Sequence, residues 1–207
     1  MYFTDFPKYL VFDGIDGAGK TFIISALKAS LKLLNITAIL IEEPSYGPFG
    51  VKVRSKISAS GQRDLGGEHR LFTLDRKDHV KSKIKPLLEF VRKTPGFIII
   101  QDRGFLSAPA YQAKDKSSIE AILREQRKIT PIPDLFIIVD VPLEVALGRI
   151  KTQKQKEELT EKKQSLEKAR ERFLWMANNI EEPVLVLDGT EEPNLNCARI
   201  LDVLDIN

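Results

Sequence analysis

Five short apolar runs recur along the chain: Tyr9-Leu10-Val11-Phe12, Ala38-Ile39-Leu40-Ile41, Phe97-Ile98-Ile99-Ile100, Leu135-Phe136-Ile137-Ile138-Val139 and Val184-Leu185-Val186-Leu187. Each is short and mostly rich in β-branched residues, so each predicts a buried strand rather than a helix. The stretches between them carry helical spacing. Ile23, Ala26, Leu27, Leu31 and Leu34 form one stripe, and the region of Leu71, Leu74, Asp75 and Asp78 reads as part of a second helix. Strands apolar on both faces and separated by helices imply a mostly parallel sheet covered on both sides, with right-handed crossovers. Residues 151–172 break this rhythm: Lys, Glu and Gln dominate until Phe173, Leu174 and Trp175. Two readings fit that segment, a solvated helix with Glu/Lys pairs and a mobile flap over a site.

The chain has 207 residues, of which 43% are hydrophobic, enough for the core of one domain. We find no internal repeat and no Gly/Ser linker, so residues 1–207 read as a single domain. Lys+Arg 32 against Asp+Glu 29 leaves a net charge of only +3. That balance argues against a nucleic-acid partner while leaving room for a local basic pocket that takes a phosphorylated small molecule. A single cysteine, Cys197, excludes an internal disulfide and a thiolate zinc site, and His69 and His79 are too few for a histidine-rich metal centre. No apolar run approaches the ~20 residues that span a bilayer. Met1 to Phe6 lack the basic and apolar regions of a signal peptide, so the expected setting is cytoplasmic and the expected membrane contact none.

The chemistry concentrates at Gly14-Ile15-Asp16-Gly17-Ala18-Gly19-Lys20-Thr21, which matches G-x-x-x-x-G-K-[ST]. It follows the first predicted strand and opens the first predicted helix at Lys20 and Thr21, with Phe22 next. Successive backbone N–H groups there would cradle phosphate oxygens, aided by the helix N-terminus. Lys20 should bridge the β- and γ-phosphates of ATP, and the Thr21 hydroxyl should ligate Mg²⁺. The expected architecture is therefore α/β: a three-layer P-loop NTPase fold, its five-stranded, mostly parallel sheet flanked by helices. A second acidic element, Asp102, ends the run Phe97 to Ile100 and precedes Arg103. On the ligand side of an open sheet it would hold Mg²⁺ or orient an acceptor phosphate; the plainer alternative is a helix N-cap beside a surface arginine.

Taken together, several blocks resemble the thymidylate (dTMP) kinase family of nucleoside monophosphate kinases. Phe12-Asp13-Gly14 with the cradle is similar to the family's F-[DE]-G-x-[DE]-G-x-G-K-[ST], and Glu43-Pro44 with Gly50 and Arg54 to its R-E-P…G…R. Leu71-Phe72-Thr73-Leu74-Asp75-Arg76 resembles L-F-x-A-x-R. Asp102-Arg103, Ser107 and Ala110-Tyr111-Gln112 resemble D-R-Y-x-x-S-x-x-A-Y-Q. Pro133-Asp134-Leu135, Asp140-Val141 and Glu144-Val145-Ala146-Leu147 with Arg149 resemble the remaining P-D-L…L-D-[VL]…E-x-[AG]-L-x-R.

The resemblance implies transfer of the ATP γ-phosphate to dTMP, giving dTDP and ADP, with Mg²⁺ and a homodimeric assembly. Gly14, Gly17, Ala18, Gly19, Lys20, Thr21, Phe22 and Arg149 would hold ATP, Arg149 by stacking on adenine. Phe72 would stack on thymine and Arg76 would meet its carbonyl edge. Arg103, helped by Arg54, would grip the acceptor phosphate. Asp16 would bind the 3′-hydroxyl, Tyr111 would exclude a 2′-hydroxyl, and Ser107 and Gln112 would line the base pocket beside Glu43. Lys20, Asp16, Asp102 and Arg103 form the expected catalytic set, with Thr21 and Asp102 on the metal. Without these blocks, Phe72 and Arg76 would read as an ordinary core residue and a surface residue on one helix.

Three positions depart from the family pattern. Glu42 stands where a basic residue is expected. Gly104 replaces an aromatic and would leave extra space or flexibility. The catalytic arginine is absent: its cradle position is Gly17, and the flap, Ile150 to Ala169, holds only Lys151, Lys154, Lys156, Lys162, Lys163 and Lys168. An arginine on the transferring phosphoryl is worth 10³–10⁵ in rate as an order of magnitude. Either Lys154 or Lys156 takes that place on closure, or all six are solvated and turnover is slow. The competing functions are a kinase for another pyrimidine nucleotide, such as dUMP or a modified monophosphate, and a catalytically weakened nucleotide-binding protein.

Overall fold

The computed structural model describes residues 7–60, 67–150 and 156–206. In chain order the elements are β1 (Tyr9–Asp13), α1 (Lys20–Leu33), β2 (Thr37–Glu42), α2 (Pro48–Ser60), α3 (Gly67–His79), α4 (Lys85–Lys93), β3 (Phe97–Asp102), α5 (Ser107–Gln112), α6 (Lys116–Ile129), β4 (Leu135–Asp140), α7 (Leu143–Arg149), α8 (Lys156–Asn179), β5 (Val184–Asp188) and α9 (Pro193–Val203). One π-turn, Val80–Ile84, joins α3 to α4.

The five predicted strands form one sheet in the order β2-β3-β1-β4-β5, and every neighbouring pair is parallel. The three inner strands are the most apolar runs, and residues such as Leu10, Phe12, Ile98, Ile99, Phe136 and Ile137 are wholly buried. The outer two are less so, since Leu40 in β2 and Val186 in β5 are exposed. Sheet edges, not a loss of apolar character, explain that difference from the all-buried expectation.

Right-handed crossovers fix the layers. The chain leaves β1 in one direction through α1 and leaves β3 and β4 in the other. Hence α1 covers one face, and the helices of the β2–β3, β3–β4 and β4–β5 connections cover the opposite face. α9 returns to pack on α1. The predicted stripe holds in α1, where Ile23, Leu27 and Leu31 are buried together with Ile24. Cys197 is buried in α9, with its Sγ 3.3 Å from the Ser30 hydroxyl. Because the crossovers diverge around β1, a crevice opens at the carboxyl ends of the central strands, where the cradle lies.

Candidate active site

Strand alternation sorts the polar residues at the ends of β1, β2 and β3 onto two faces. Glu42 and Asp102 are register partners and share the α1 side with Leu40 and Ile100. There they line a cavity of about 560 Å³ together with Thr21 at the start of α1. Oδ1 of Asp102 is buried without a hydrogen-bond partner. An orphaned carboxylate oxygen and a hydroxyl on one cavity wall are a donor set that suits a hard cation. On the opposite face stand Asp13, Gln101 and the chain end that leads to Arg103.

The cradle between β1 and α1 follows the predicted strand–loop–helix geometry. Gly17 has φ 80°, and a Cβ there would sit 2.4 Å from the carbonyl oxygen of Ala146 in α7. The close approach of α7 therefore excludes any side chain at that position, including an arginine. The Lys20 ammonium is buried and donates to the carbonyls of Gly14 and Ile15, each at 3.1 Å. Burial, with repulsion from Arg103, brings its pKa down to about 8. Arg149 braces the outside of the loop, donating to the carbonyls of Gly17, Ala18 and Gly189 at 3.3, 3.2 and 3.0 Å. Phe22 points outward and is exposed.

Arg103 stands just past the end of β3. It pairs with Asp16 and reaches the Gly14 carbonyl at 3.3 Å and the Ser107 hydroxyl at 3.5 Å. Its guanidinium lies 5.9 Å from the centre of the Tyr111 ring. Burial works against its charge, but Asp16 and its other neighbours outweigh this and raise its pKa. Ser107 donates to Asp13 at 2.5 Å, and the Gly104 N–H donates to the same carboxylate at 3.2 Å. Asp13 is wholly buried, and desolvation raises its pKa to about 6 despite those two bonds.

Arg76 reaches the site from α3. It is buried, gives Nε and Nη2 to Glu43 at 2.8 and 2.5 Å, Nη1 to Gln126 at 2.6 Å and Nη2 to the Gly104 carbonyl at 3.0 Å. For Glu43, burial pushes the pKa up, but Arg76 and His79 outweigh it and leave it lowered. A cis peptide joins Glu43 to Pro44. The following Ser45 is pinned to Asp75 of α3 through its N–H at 2.8 Å and its hydroxyl at 2.5 Å. Phe72 lies one helical turn before Arg76 and is half-buried, as is Gln112 at the end of α5.

The family model for thymidylate kinase matches residues 12–200. Thymidylate kinase of Desulfotalea psychrophila is 33% identical over 150 residues, covering 72% of this chain and 71% of its own length. Thymidylate kinase of Xanthomonas oryzae pv. oryzae is 33% identical over 164 residues, covering 79% and 69%. The chain belongs to the thymidylate kinase family. Membership makes it an enzyme, a nucleoside monophosphate kinase that phosphorylates dTMP.

Against the thymidylate kinase pattern, two departures look different in three dimensions. Gly104 leaves no extra space: a Cβ there would lie 2.3 Å from Cγ1 of Val11. Glu42 does not stand free, because Arg54 bonds to it at 2.8 Å, bonds to the Pro44 carbonyl and lies 4.6 Å from the centre of the Tyr46 ring. Arg54 is thus held apart from Arg103's cluster. The third departure, the lid cation, lies largely outside the described residues: this holds for Lys151 and Lys154, and for the side chains of Lys156 and Lys162. Among the described lysines, Lys163 lies 3.7 Å from Glu144 and Lys168 is exposed. From residue 156 onward the polar segment is a single helix.

Several residues that shape the site escaped the sequence reading. Asp13 and Asp75 passed as motif letters, and Gln101 and Gln126 drew no attention. Gln101 carried a signal, since a polar residue that follows an apolar run in a buried strand needs partners. Gln126 and Asp75 carried none, because their partners are distant in sequence.

Proposed function

We propose that this site transfers the γ-phosphoryl of ATP to dTMP, yielding ADP and dTDP, with the following division of labour. Lys20 and the loop N–H groups take the triphosphate, and Arg149 flanks the nucleoside beyond the loop. Thr21 and Asp102 would hold Mg²⁺, which when bound neutralises phosphate charge. Arg103 takes the acceptor phosphate, while Asp16 turns from Arg103 toward the sugar. Tyr111, Ser107, Gln112 and Phe72 enclose the thymidine. Arg76, fixed by Glu43, has one N–H of Nη1 left beyond its four protein bonds for a base carbonyl. A guanidinium donor there disfavours bases that present an amino group.

One observation carries this reading. The donor-side Lys20 and the acceptor-side Arg103 converge on the same carbonyl oxygen, that of Gly14, at 3.1 and 3.3 Å. Two phosphate-binding cations that meet at one point place two phosphate esters end to end. Phosphoryl transfer asks little more of a protein than such alignment, charge neutralisation and exclusion of water. The acceptor phosphate is already ionised near neutral pH, so no strong base is needed.

The test is ADP release with ATP, Mg²⁺ and a panel of nucleoside monophosphates. Turnover should be highest with dTMP and should vanish in Lys20→Ala while the thermal unfolding transition persists. A higher rate with dCMP or a purine monophosphate, or normal turnover in that variant, refutes the assignment. Homodimerisation belongs to the same reading, supported by the exposed apolar side chains Val51 of α2 and Phe90 of α4; sedimentation at micromolar concentration tests it. No helix among the described residues is long and apolar enough to cross a membrane. Small-molecule nucleotides as partners, no nucleic acid, and a cytoplasmic setting complete the proposal.

A further inference from the structure

Arg103 has φ 67°, the left-handed region that a side chain rarely adopts. Strand alternation sends Asp102 to the α1 side; the left-handed turn sets the direction in which Arg103 leaves the end of β3 on the acceptor side. Something must hold the backbone there. The Arg103 N–H donates to the Phe12 carbonyl at 2.7 Å, which extends the β1–β3 ladder. The Arg103 carbonyl accepts from Nε2 of Gln101 at 2.8 Å. Gln101 is wholly buried, and its Oε1 accepts from the Tyr9 hydroxyl at 2.6 Å. Tyr9 sits on the neighbouring strand, diagonal to Gln101 on the same sheet face, and is 1% exposed.

The chain Tyr9 hydroxyl, Gln101 amide, Arg103 carbonyl has one consistent direction. The phenol has its donor fixed on Oε1, so the amide must aim its nitrogen at Arg103. Burial raises the tyrosine pKa, with Glu43 adding to it, so the phenol remains a donor through the working pH range. Neither of these two side-chain bonds contributes to a helix or to the strand ladder. Tyr9 opens β1 and Gln101 is the next-to-last residue of β3; both are wholly buried on apolar strands, where Leu or Val would pack without needing a partner. Their arrangement has one outlet, the backbone of Arg103.

We propose that Gln101, oriented by Tyr9, is a positioning residue for the acceptor phosphate, acting through the left-handed backbone of Arg103. The proposal deepens the reading above and rests on Arg103 as the acceptor-phosphate ligand. Loss of the amide lets the turn relax and swings the guanidinium away from the point where it meets the Gly14 carbonyl. Binding of dTMP should suffer and binding of ATP should not, since Lys20 and the loop N–H groups are untouched.

Steady-state kinetics on Gln101→Met, Tyr9→Phe, Arg103→Ala and the double variant Gln101→Met/Arg103→Ala decide it. Gln101→Met should raise KM for dTMP about tenfold and Tyr9→Phe about threefold, with KM for ATP within twofold of wild type. In the Arg103→Ala background, Gln101→Met should change nothing further. Equal rises in both KM values would show a merely structural role and overturn the proposal. So would an undiminished Gln101→Met effect in the Arg103→Ala background. An unchanged KM for dTMP in Arg103→Ala removes the underlying assignment instead, and this inference with it. Tyr9→Phe removes a single oxygen, so it reports even if Gln101→Met folds poorly; an unaltered KM for dTMP in folded Tyr9→Phe counts against the proposal.

Discussion

Arg54 Nη2 lies 2.8 Å from Oε1 of Glu42, so the carboxylate that replaces the family's basic residue has captured the arginine expected on the acceptor phosphate. The two side chains are 37% and 39% exposed, which makes the pair a weak surface contact rather than a buried lock. On the expectation that Arg54 helps to hold the acceptor phosphate, the contact competes with substrate. Glu42→Gln should therefore free the guanidinium and lower KM for dTMP about three- to tenfold, with KM for ATP unchanged. Initial rates across a dTMP series check this. A raised KM would mean that Glu42 instead presents Arg54 to the substrate.

Asp13 gives a pH signature in stability. Its folded pKa, about 6, lies above the ordinary 3.8, because burial outweighs Ser107, Arg103 and the Gly104 N–H. Between those values the folded chain holds a proton that the unfolded chain has released. The group's favourable contribution is thus full below pH 3.8, falls as pH rises through the window and is lost above about 6. Asparagine has no such dependence. Relative to wild type, Asp13→Asn should gain about 3 kcal/mol between pH 4 and 7, on top of any constant offset. Urea unfolding of both proteins at four pH values measures the difference. A difference that stays flat with pH would mean that Asp13 keeps an ordinary pKa.

Arg76 and Glu43 are 6% and 5% exposed and form a buried ion pair that Gln126 and His79 extend. Removing one partner strands the other's charge in a dry place, which costs about 3–5 kcal/mol. Arg76→Ala should show a loss of that size, and the double variant Arg76→Met/Glu43→Gln should lose less than Arg76→Ala alone. Chemical denaturation of the variants tests this coupling.

Much of the fold was legible because the inner strands are continuous apolar runs and the cradle has a fixed spacing. Strand order and edge exposure were not, since nothing local distinguishes β2 from β3. The strand–loop–helix geometry of the cradle and the place of Asp102-Arg103 at the end of β3 were legible for the same reason: each depends on neighbours close in sequence. Glu42's hold on Arg54 and Gly104's tight packing were not, because each depends on a side chain from another element. A motif records which residue type departs from the family. It does not record what fills the space or takes the charge.

Mutagenesis of the flap lysines tests which cation partners the transferring phosphoryl. The structure closes the cradle to it, since Gly17 abuts Ala146, and Lys163 is drawn toward Glu144. The expectation falls on Lys154 or Lys156. Alanine at one of them should lower kcat by about two orders of magnitude with KM for dTMP unchanged, a fraction of the 10³–10⁵ that an arginine supplies. Full activity in alanine variants at all six flap lysines would discard the idea.

Gly104 offers the sharpest test of packing against family pattern. The aromatic expected there cannot be restored on this backbone, because its Cβ would lie 2.3 Å from Val11 Cγ1 and 3.4 Å from the Asp13 carboxylate. Val11 is a wholly buried residue of β1 and has no room to retreat. Gly104→Ala should therefore cost about 1–3 kcal/mol by overpacking. Truncating the obstacle should repair it: Gly104→Ala in a Val11→Ala background should cost far less, a coupling measurable by a double-mutant cycle of unfolding free energies. Additive losses would mean that the backbone after Arg103 shifts to make room, and dTMP binding would then be expected to weaken in Gly104→Ala as Arg103 moves with it.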